Sequence, residues 1–222
     1  MLFRSETFER WGYRRIILPT FGYYESLSAG ASTELQRQMF RFFDREGNII
    51  ALRADMTPLT ARLVGTRLYD SPLPLRFCYS GSVFRHEKPQ AGRYREFNQF
   101  GVECLGAAAP AADAEMISLA QNVFDFLGVR GLALEINSIG CPACRKNYTV
   151  ALMSYFDAKT GDLCASCNER LGKNPMRILD CKSPVCSAIA LQAPVMLDYL
   201  CDDCSAHFDA VRRYLDAMGI AY

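Results

Sequence analysis

The sequence predicts an α+β fold, an antiparallel sheet with flanking helices followed by a mostly helical, cysteine-rich module. Three observations lead there. Two strand-like runs, Pro74 to Tyr79 and Phe97 to Cys104, flank a polar segment whose Pro89 and Gly92 suit a turn, so they read as a long hairpin with a charged tip. A second hairpin pairs Met39 to Phe43 with Asn48 to Arg53 around Asp44-Arg45-Glu46-Gly47, where the glycine can take positive φ. Eight of the ten cysteines fall between Cys141 and Cys204, which divides the chain into a core, 1–137, and an insertion-like module, 138–222.

The remaining elements follow in order. Phe3 to Trp11 has helical spacing with Leu2, Phe3, Phe8 and Trp11 on one side, and Gly12 ends it. Arg15 to Leu18 reads as a strand stopped by Pro19. Leu27 to Gln38 is small and polar, a loop passing into a short helix. Leu59 to Leu68 is helical, with Leu59, Leu63 and Leu68 apolar. Ala111 to Leu127 is an amphipathic helix whose buried stripe is Ile117, Ala120, Val123, Phe124 and Leu127, with Gly128 as its stop. Asp113 and Glu115 in its first turns complement the helix dipole, which accounts for them without chemistry. Ala133 to Asn137 follows as a strand.

Composition narrows the function. A chain of 222 residues, half of them hydrophobic, can bury one large or two small cores. The net charge of +1 excludes a globally basic nucleic-acid surface, so any RNA contact is a local patch. No run approaches a membrane span, and charges in Met1 to Arg15 occupy the place of a signal peptide's apolar region. The expectation is a cytoplasmic protein without a membrane partner, whose cysteines are reduced thiols or metal ligands rather than disulfides.

The chemistry concentrates in Phe84 to Glu103. Arg85, Arg93 and Arg95 supply planar donors for phosphate or carboxylate, while Glu87, Gln99 and Glu103 supply acceptors for amines and amides. That mixture suits a zwitterion or a nucleotide; the plain alternative is a hairpin with salt-bridged edges. The order of residues resembles the second signature motif of class II aminoacyl-tRNA synthetases, specifically those for histidine. The resemblance implies a partial class II synthetase-type antiparallel sheet. It also implies that Arg85 contacts the α-phosphate of ATP and the carboxylate of histidine, that Phe97 stacks on adenine with Glu87 near its edge, and that Gln99 and Glu103 line a histidine pocket. ATP would arrive with Mg2+. Gly12 to Phe21 similarly resembles the first class II motif, which implies a homodimer, although Gly22 stands where the family usually shows glutamate.

Leu52-Arg53-Ala54-Asp55-Met56-Thr57-Pro58 departs further. The family normally reads Leu-Arg-Pro-Glu-Gly-Thr there, the glutamate taking the amino group of histidine and the threonine assisting. Asp55 is shorter by one methylene and Thr57 is retained. Met56 replaces a glycine, and a backbone position needing positive φ or close ligand approach accepts a bulky side chain poorly. This version resembles the synthetase paralogue that serves as regulatory subunit of ATP phosphoribosyltransferase and docks on its catalytic subunit. Both readings stand: a histidine–tRNA ligase core forming histidyl-adenylate for tRNA(His), and a non-catalytic histidine sensor.

The cysteines come as Cys141-Pro-Ala-Cys144, Cys164-Ala-Ser-Cys167, Cys181-Lys-Ser-Pro-Val-Cys186 and Cys201-Asp-Asp-Cys204. The nineteen residues between the first two pairs fit a four-thiolate Zn2+ site. Two or more pairs converging on one ion, four pairs holding two, and thiols packed without metal all satisfy the spacing. Cys78 and Cys104 lie in the main hairpin and read as core. The segments around Ile136 to Cys141, Asn174 to Lys182 and Ala193 to Tyr199 resemble the insertion domain of bacterial histidyl-tRNA synthetases. That implies Arg145, Lys146, Lys173, Arg177 and Lys182 as phosphate contacts to tRNA, against solvated charges on a helical module. His86 belongs to the hairpin tip, and His207 reads as a packing or surface residue. The family would continue past Tyr222 into a second histidine-binding signature and the third class II motif with its ATP-binding arginine. The sheet is therefore expected to be incomplete, and the isolated chain to have little or no ligase activity.

Overall fold

A computed structural model of the chain describes residues 2–88 and 90–222, with side chains from residue 6 onward. The side chains of Leu2 and Phe3, on the first apolar face, and the whole of Pro89, at the hairpin tip, lie outside the described residues. The chain divides into two compact units, residues 1–108 with 119–128, and residues 109–118 with 129–222.

The first unit opens with α1 (Leu2–Arg10), which buries Phe8 and half-buries Trp11 and ends at Gly12, whose φ of 81° reverses the chain. The expected strand at residues 15–18 is shorter and begins earlier: β1 is Arg14–Arg15. β2 (Phe21–Tyr23) resumes extended structure beyond Pro19, where the sequence alone predicts a stop. α2 (Tyr24–Ser28) and α3 (Thr33–Gln38) follow, the latter capped by Ser32, whose side chain accepts from the Leu35 N–H at 3.2 Å. β3 (Arg41–Phe43) and β4 (Ile49–Leu52) form the short hairpin with Gly47 at φ 85°. α4 (Thr57–Arg67) starts two residues before its predicted apolar run, since Pro58 suits the first helical turn. β5 (Leu75–Phe84) and β6 (Glu96–Leu105) are the long hairpin, in register from Leu75 opposite Leu105 to Phe84 opposite Glu96.

The ladders make two three-stranded sheets rather than one: β1-β5-β6, with β1 parallel to β5, and an antiparallel β2-β4-β3. Their core includes Leu18, Leu27, Ala51, Met56, Leu59, Tyr79 and Val83.

α5 (Pro110–Phe126) corrects the predicted stripe. Ala114 and Leu119 are the buried residues, Ile117 and Val123 are half-buried, and Ala120, Phe124 and Leu127 are exposed. The period was right and the phase was not, because successive halves of this helix belong to different units. Ala133 to Asn137 is also corrected. Its burial alternates, Leu134 and Ile136 inward, yet it forms no strand among the described residues because no neighbour completes a ladder.

The second unit is helical: α6 (Pro142–Asp157), α7 (Ala165–Leu171), α8 (Pro184–Ala190) and α9 (Asp202–Ala217), with 3-10 turns at Pro175–Ile178 and Met196–Tyr199. Tyr148, Leu152, Phe156, Leu171 and Ile178 form one core, while Val211, Leu215 and Ile220 pack with Ala114 in another.

Candidate functional site

Alternation along β6 puts Phe97, Gln99, Gly101 and Glu103 on one face of the hairpin, opposite Val83, Gly81, Tyr79 and Phe77 of β5. The turn from β4 into α4 lays Asp55 and Thr57 against that face. Gln99 donates through Nε2 to Asp55 Oδ1 at 3.0 Å, and Thr57 donates through its hydroxyl to Glu103 Oε1 at 2.7 Å. Arg85 donates through Nε to the Ala54 carbonyl at 2.8 Å, holds Nη2 3.7 Å from Asp55 Oδ2, and lies 5.3 Å from the Phe97 ring centroid. Arg85, Asp55, Thr57, Phe97, Gln99 and Glu103 are therefore brought together. Glu87 touches this group through its backbone, its N–H donating to the Arg85 carbonyl at 2.9 Å, while its side chain turns to the tip, 3.5 Å from Arg93 Nη1.

The arrangement keeps acceptors for a ligand. Gln99 Oε1 is buried with no hydrogen-bond partner among the described residues. A buried acceptor left this way costs about 1–3 kcal/mol, so a donor brought by a ligand would relieve it. Two carboxylates, a carboxamide and a guanidinium within one small volume can take an ammonium at one end and a carboxylate or phosphate at the other.

Three contributors escaped sequence reading. Tyr79 donates through its hydroxyl to Glu103 Oε1 at 2.9 Å and sits 3.2 Å from the Thr57 hydroxyl. Burial pushes its ionisation well above the ordinary tyrosine range; the Glu103 charge adds to that rise and the Thr57 contact opposes it. Arg53, 7% exposed, donates to the carbonyls of Ser82 and Leu18, each at 2.7 Å, and fixes the approach of β4 to β5. Burial disfavours its charged form and pushes its pKa below the ordinary guanidinium range. Gly101 admits the Tyr79 ring, since a Cβ there would lie 2.4 Å from Tyr79 Cζ. The alternation Phe-Asn-Gln-Phe-Gly-Val-Glu could have flagged Gly101; nothing in the sequence distinguished Tyr79 from an ordinary strand residue.

Met56 corrects an objection. It has φ of −97° in the right-handed helical region, is 1% exposed, and packs in the core under the hairpin. No positive φ is required at this position.

In the second unit the thiols gather in two groups, Cys141 with Cys144, Cys201 and Cys204, and Cys164 with Cys167, Cys181 and Cys186. Consecutive pairing of the first two motifs is not what the fold makes; the first motif meets the last. Such groups are suited to hold a metal ion. Arg145, Lys146, Lys173, Arg177 and Lys182 are all exposed. His207 Nε2 lies 2.7 Å from Asp113 Oδ2, so that carboxylate has a partner besides the helix dipole.

The fold is that of the class II synthetase core: the apo histidyl-tRNA synthetase of S. aureus superposes with a TM-score of 0.75 at 31% identity, over 98% of this chain and 50% of that one. An ATP phosphoribosyltransferase regulatory subunit/histidyl-tRNA synthetase from Bacillus halodurans superposes with a TM-score of 0.65 at 26% identity, over 98% of this chain and 60% of that one. A family model of histidyl-tRNA synthetase matches residues 4–142, and the histidine–tRNA ligase of Caldicellulosiruptor bescii is 47% identical over 98% of this chain and 52% of its own length. That of Clostridioides difficile is 42% identical over 96% and 51% respectively. The chain belongs to the histidyl-tRNA synthetase family, and spans about half the length of the curated relatives it matches.

Proposed function

We infer that this chain is the histidine- and ATP-binding part of a histidine–tRNA ligase. The carrying observation is the convergence of Asp55, Thr57, Gln99 and Glu103 beside the Arg85 guanidinium. In this reading Asp55, Gln99 and Glu103 receive the ammonium and imidazole donors of histidine, with Thr57 and Tyr79 orienting Glu103. Arg85 holds the histidine carboxylate against the α-phosphate of ATP. The carboxylate oxygen forms a bond to that phosphorus, pyrophosphate leaves, and the guanidinium offsets charge that grows on the phosphoryl oxygens. Phe97, one face already against Arg85, offers adenine its other face, and Glu87 serves the nucleotide edge from the tip. The resulting histidyl-adenylate would pass to tRNA(His).

Mg2+ accompanies ATP in this chemistry. It would be carried largely by the ATP phosphates and water. Structural zinc in the cysteine module takes no part in activation. Residues 138–222 form an insertion that meets tRNA through Arg145, Lys146, Lys173, Arg177 and Lys182. The exposed Ile17 and Phe21, within the segment that resembles the first class II motif, and Tyr23 just after it support a homodimer. Among the described residues no helix is long and apolar enough to cross a membrane.

The regulatory reading retains one specific support, the Asp55-Met56-Thr57-Pro58 sequence together with the likeness to the Bacillus halodurans protein. It uses the same histidine pocket without the phosphoryl step and adds a phosphoribosyltransferase catalytic subunit as partner. Calorimetric titration with L-histidine tests the shared premise. Saturable binding is expected, weakened at least about tenfold, or about 1.4 kcal/mol, by Glu103→Gln. No saturation, or a variant that binds as the parent does, would remove the pocket from both readings. Histidine-dependent pyrophosphate exchange by the complete protein separates the ligase from the regulator.

A further inference from the structure

We propose that the second unit carries two separate four-thiolate zinc sites nested in sequence: an inner site of Cys164, Cys167, Cys181 and Cys186 enclosed by an outer site of Cys141, Cys144, Cys201 and Cys204. This rests on the zinc reading of the cysteines and is independent of histidine activation.

Geometry carries the inference. In each group every thiol sulfur lies within 4.8 Å of the other three. A tetrahedral ion with zinc–sulfur bonds of about 2.3 Å holds its ligands about 3.8 Å apart. The Cys141 and Cys144 sulfurs are 3.5 Å apart, and those of Cys164 and Cys181 are 3.9 Å apart. A disulfide would bring a pair to about 2.05 Å, and all ten cysteines are free. The sets are also too tight for a polynuclear iron–sulfur cluster, which leaves one ion per group.

The backbone is arranged around the sulfurs as well. Cys141, Cys164 and Cys201 occupy the N-cap positions of α6, α7 and α9 with extended φ and ψ, yet none of their side chains caps its helix. A serine or aspartate there would turn inward to the helix N–H groups; these thiols instead join the other cysteines of their own group. Backbone N–H groups point at the thiols instead. Cys201 N–H donates to Cys144 Sγ at 3.1 Å, Cys164 N–H to Cys186 Sγ at 3.3 Å, and Ser183 N–H to Cys181 Sγ at 3.5 Å. Such donors stabilise thiolate charge and orient the ligand. Gly140, at φ 60°, lets the entering chain pass against the outer set: a Cβ there would lie 2.6 Å from Cys144 Cβ and 2.8 Å from Met196 Cε.

Each ion closes a different loop. The inner one ties α7 to the start of α8 across the 3-10 turn, and the outer one ties the start of α6 to the start of α9. Each binding event releases thiol protons to solvent. The role is structural, since four protein ligands leave no open coordination position.

The test uses the whole chain, purified without a histidine tag after growth with zinc. Elemental analysis is expected to give two zinc ions per chain. Replacement by cobalt should saturate at two equivalents with the visible bands of tetrahedral thiolate coordination. In the doubly substituted Cys141→Ser/Cys144→Ser chain, iodoacetamide mapping should show Cys201 and Cys204 newly alkylated and Cys164, Cys167, Cys181 and Cys186 protected. One zinc per chain would overturn the two-site inference while sparing zinc itself. No metal, iron in place of zinc, or protection lost at Cys164 and Cys167 in that variant would also overturn it. The zinc count and cobalt spectrum of the parent do not depend on the variant folding.

Discussion

At the residue scale, Asp55 performs two tasks that substitution can separate. Its Oδ1 accepts from the Met56 N–H at 2.6 Å and the Thr57 N–H at 3.3 Å, serving the otherwise orphaned donors at the start of α4, and also receives Gln99 Nε2. Its Oδ2 faces the Arg85 guanidinium at 3.7 Å. With each of these two side chains about a quarter exposed, that ion pair adds at most about 1 kcal/mol. Asp55→Ala removes both tasks and is expected to cost about 1 kcal/mol in stability, as helix caps do. Asp55→Asn keeps an oxygen for the backbone donors and loses the charge. Denaturant midpoints should therefore fall for alanine and stay near the parent for asparagine, while histidine affinity falls for both. Equal midpoints for alanine and the parent would show that the cap contributes nothing. The shortened carboxylate also shows where sequence reading reached its limit. Its charge was legible, but its capping role depends on the sharp entry from β4 into α4, which the residue letters do not encode.

At the element scale, the long hairpin was legible because its strands alternate and its tip is polar, but β5 runs five residues past the predicted Tyr79. That extension includes Ser80-Gly81-Ser82. The missing side chain at Gly81 is the reason the site closes: a Cβ there would stand 2.5 Å from Arg53 Nη2 and 3.1 Å from Met56 Cε. Arginine tips usually move aside. Arg53 is held by the Leu18 and Ser82 carbonyls, so it has nowhere to go without leaving buried acceptors unpaired. Gly81→Ala should cost about 1–3 kcal/mol through overpacking, read as a lower urea midpoint at unchanged slope, with weaker histidine binding because Asp55 follows Arg53 by two residues. An unchanged midpoint would mean that Arg53 is not fixed as described. The cysteine elements were legible as motifs and illegible as pairs. Sequence spacing favours neighbours, whereas folding joins Cys141 to Cys204 across the whole module. The predicted strand at 133–137 failed for a related reason. Alternation reports which side chains face inward, but a strand also needs a partner.

At the scale of the whole molecule, two sets of buried residues share no member: one runs from Leu18 to Val83 and the other from Cys144 to Met196. On the readings proposed above, their stabilities would respond to different ligands. A metal that binds only the folded cysteine module stabilises that module by mass action, and its removal withdraws that contribution there alone. On the proposed histidine pocket, bound histidine would do the same for the synthetase-type unit. Calorimetric melting should thus show two transitions, one lowered when a strong chelator is added and one raised by histidine, with neither ligand moving the other's transition by more than a small fraction of its own effect. The helical module, with a ten-residue buried core, has little apolar area to hold it once its thiolate ties are cut, so chelation should lower its transition most. A single transition shifted by both ligands would mean that the units unfold as one, and a melting profile indifferent to the chelator would deny the cysteines their structural role.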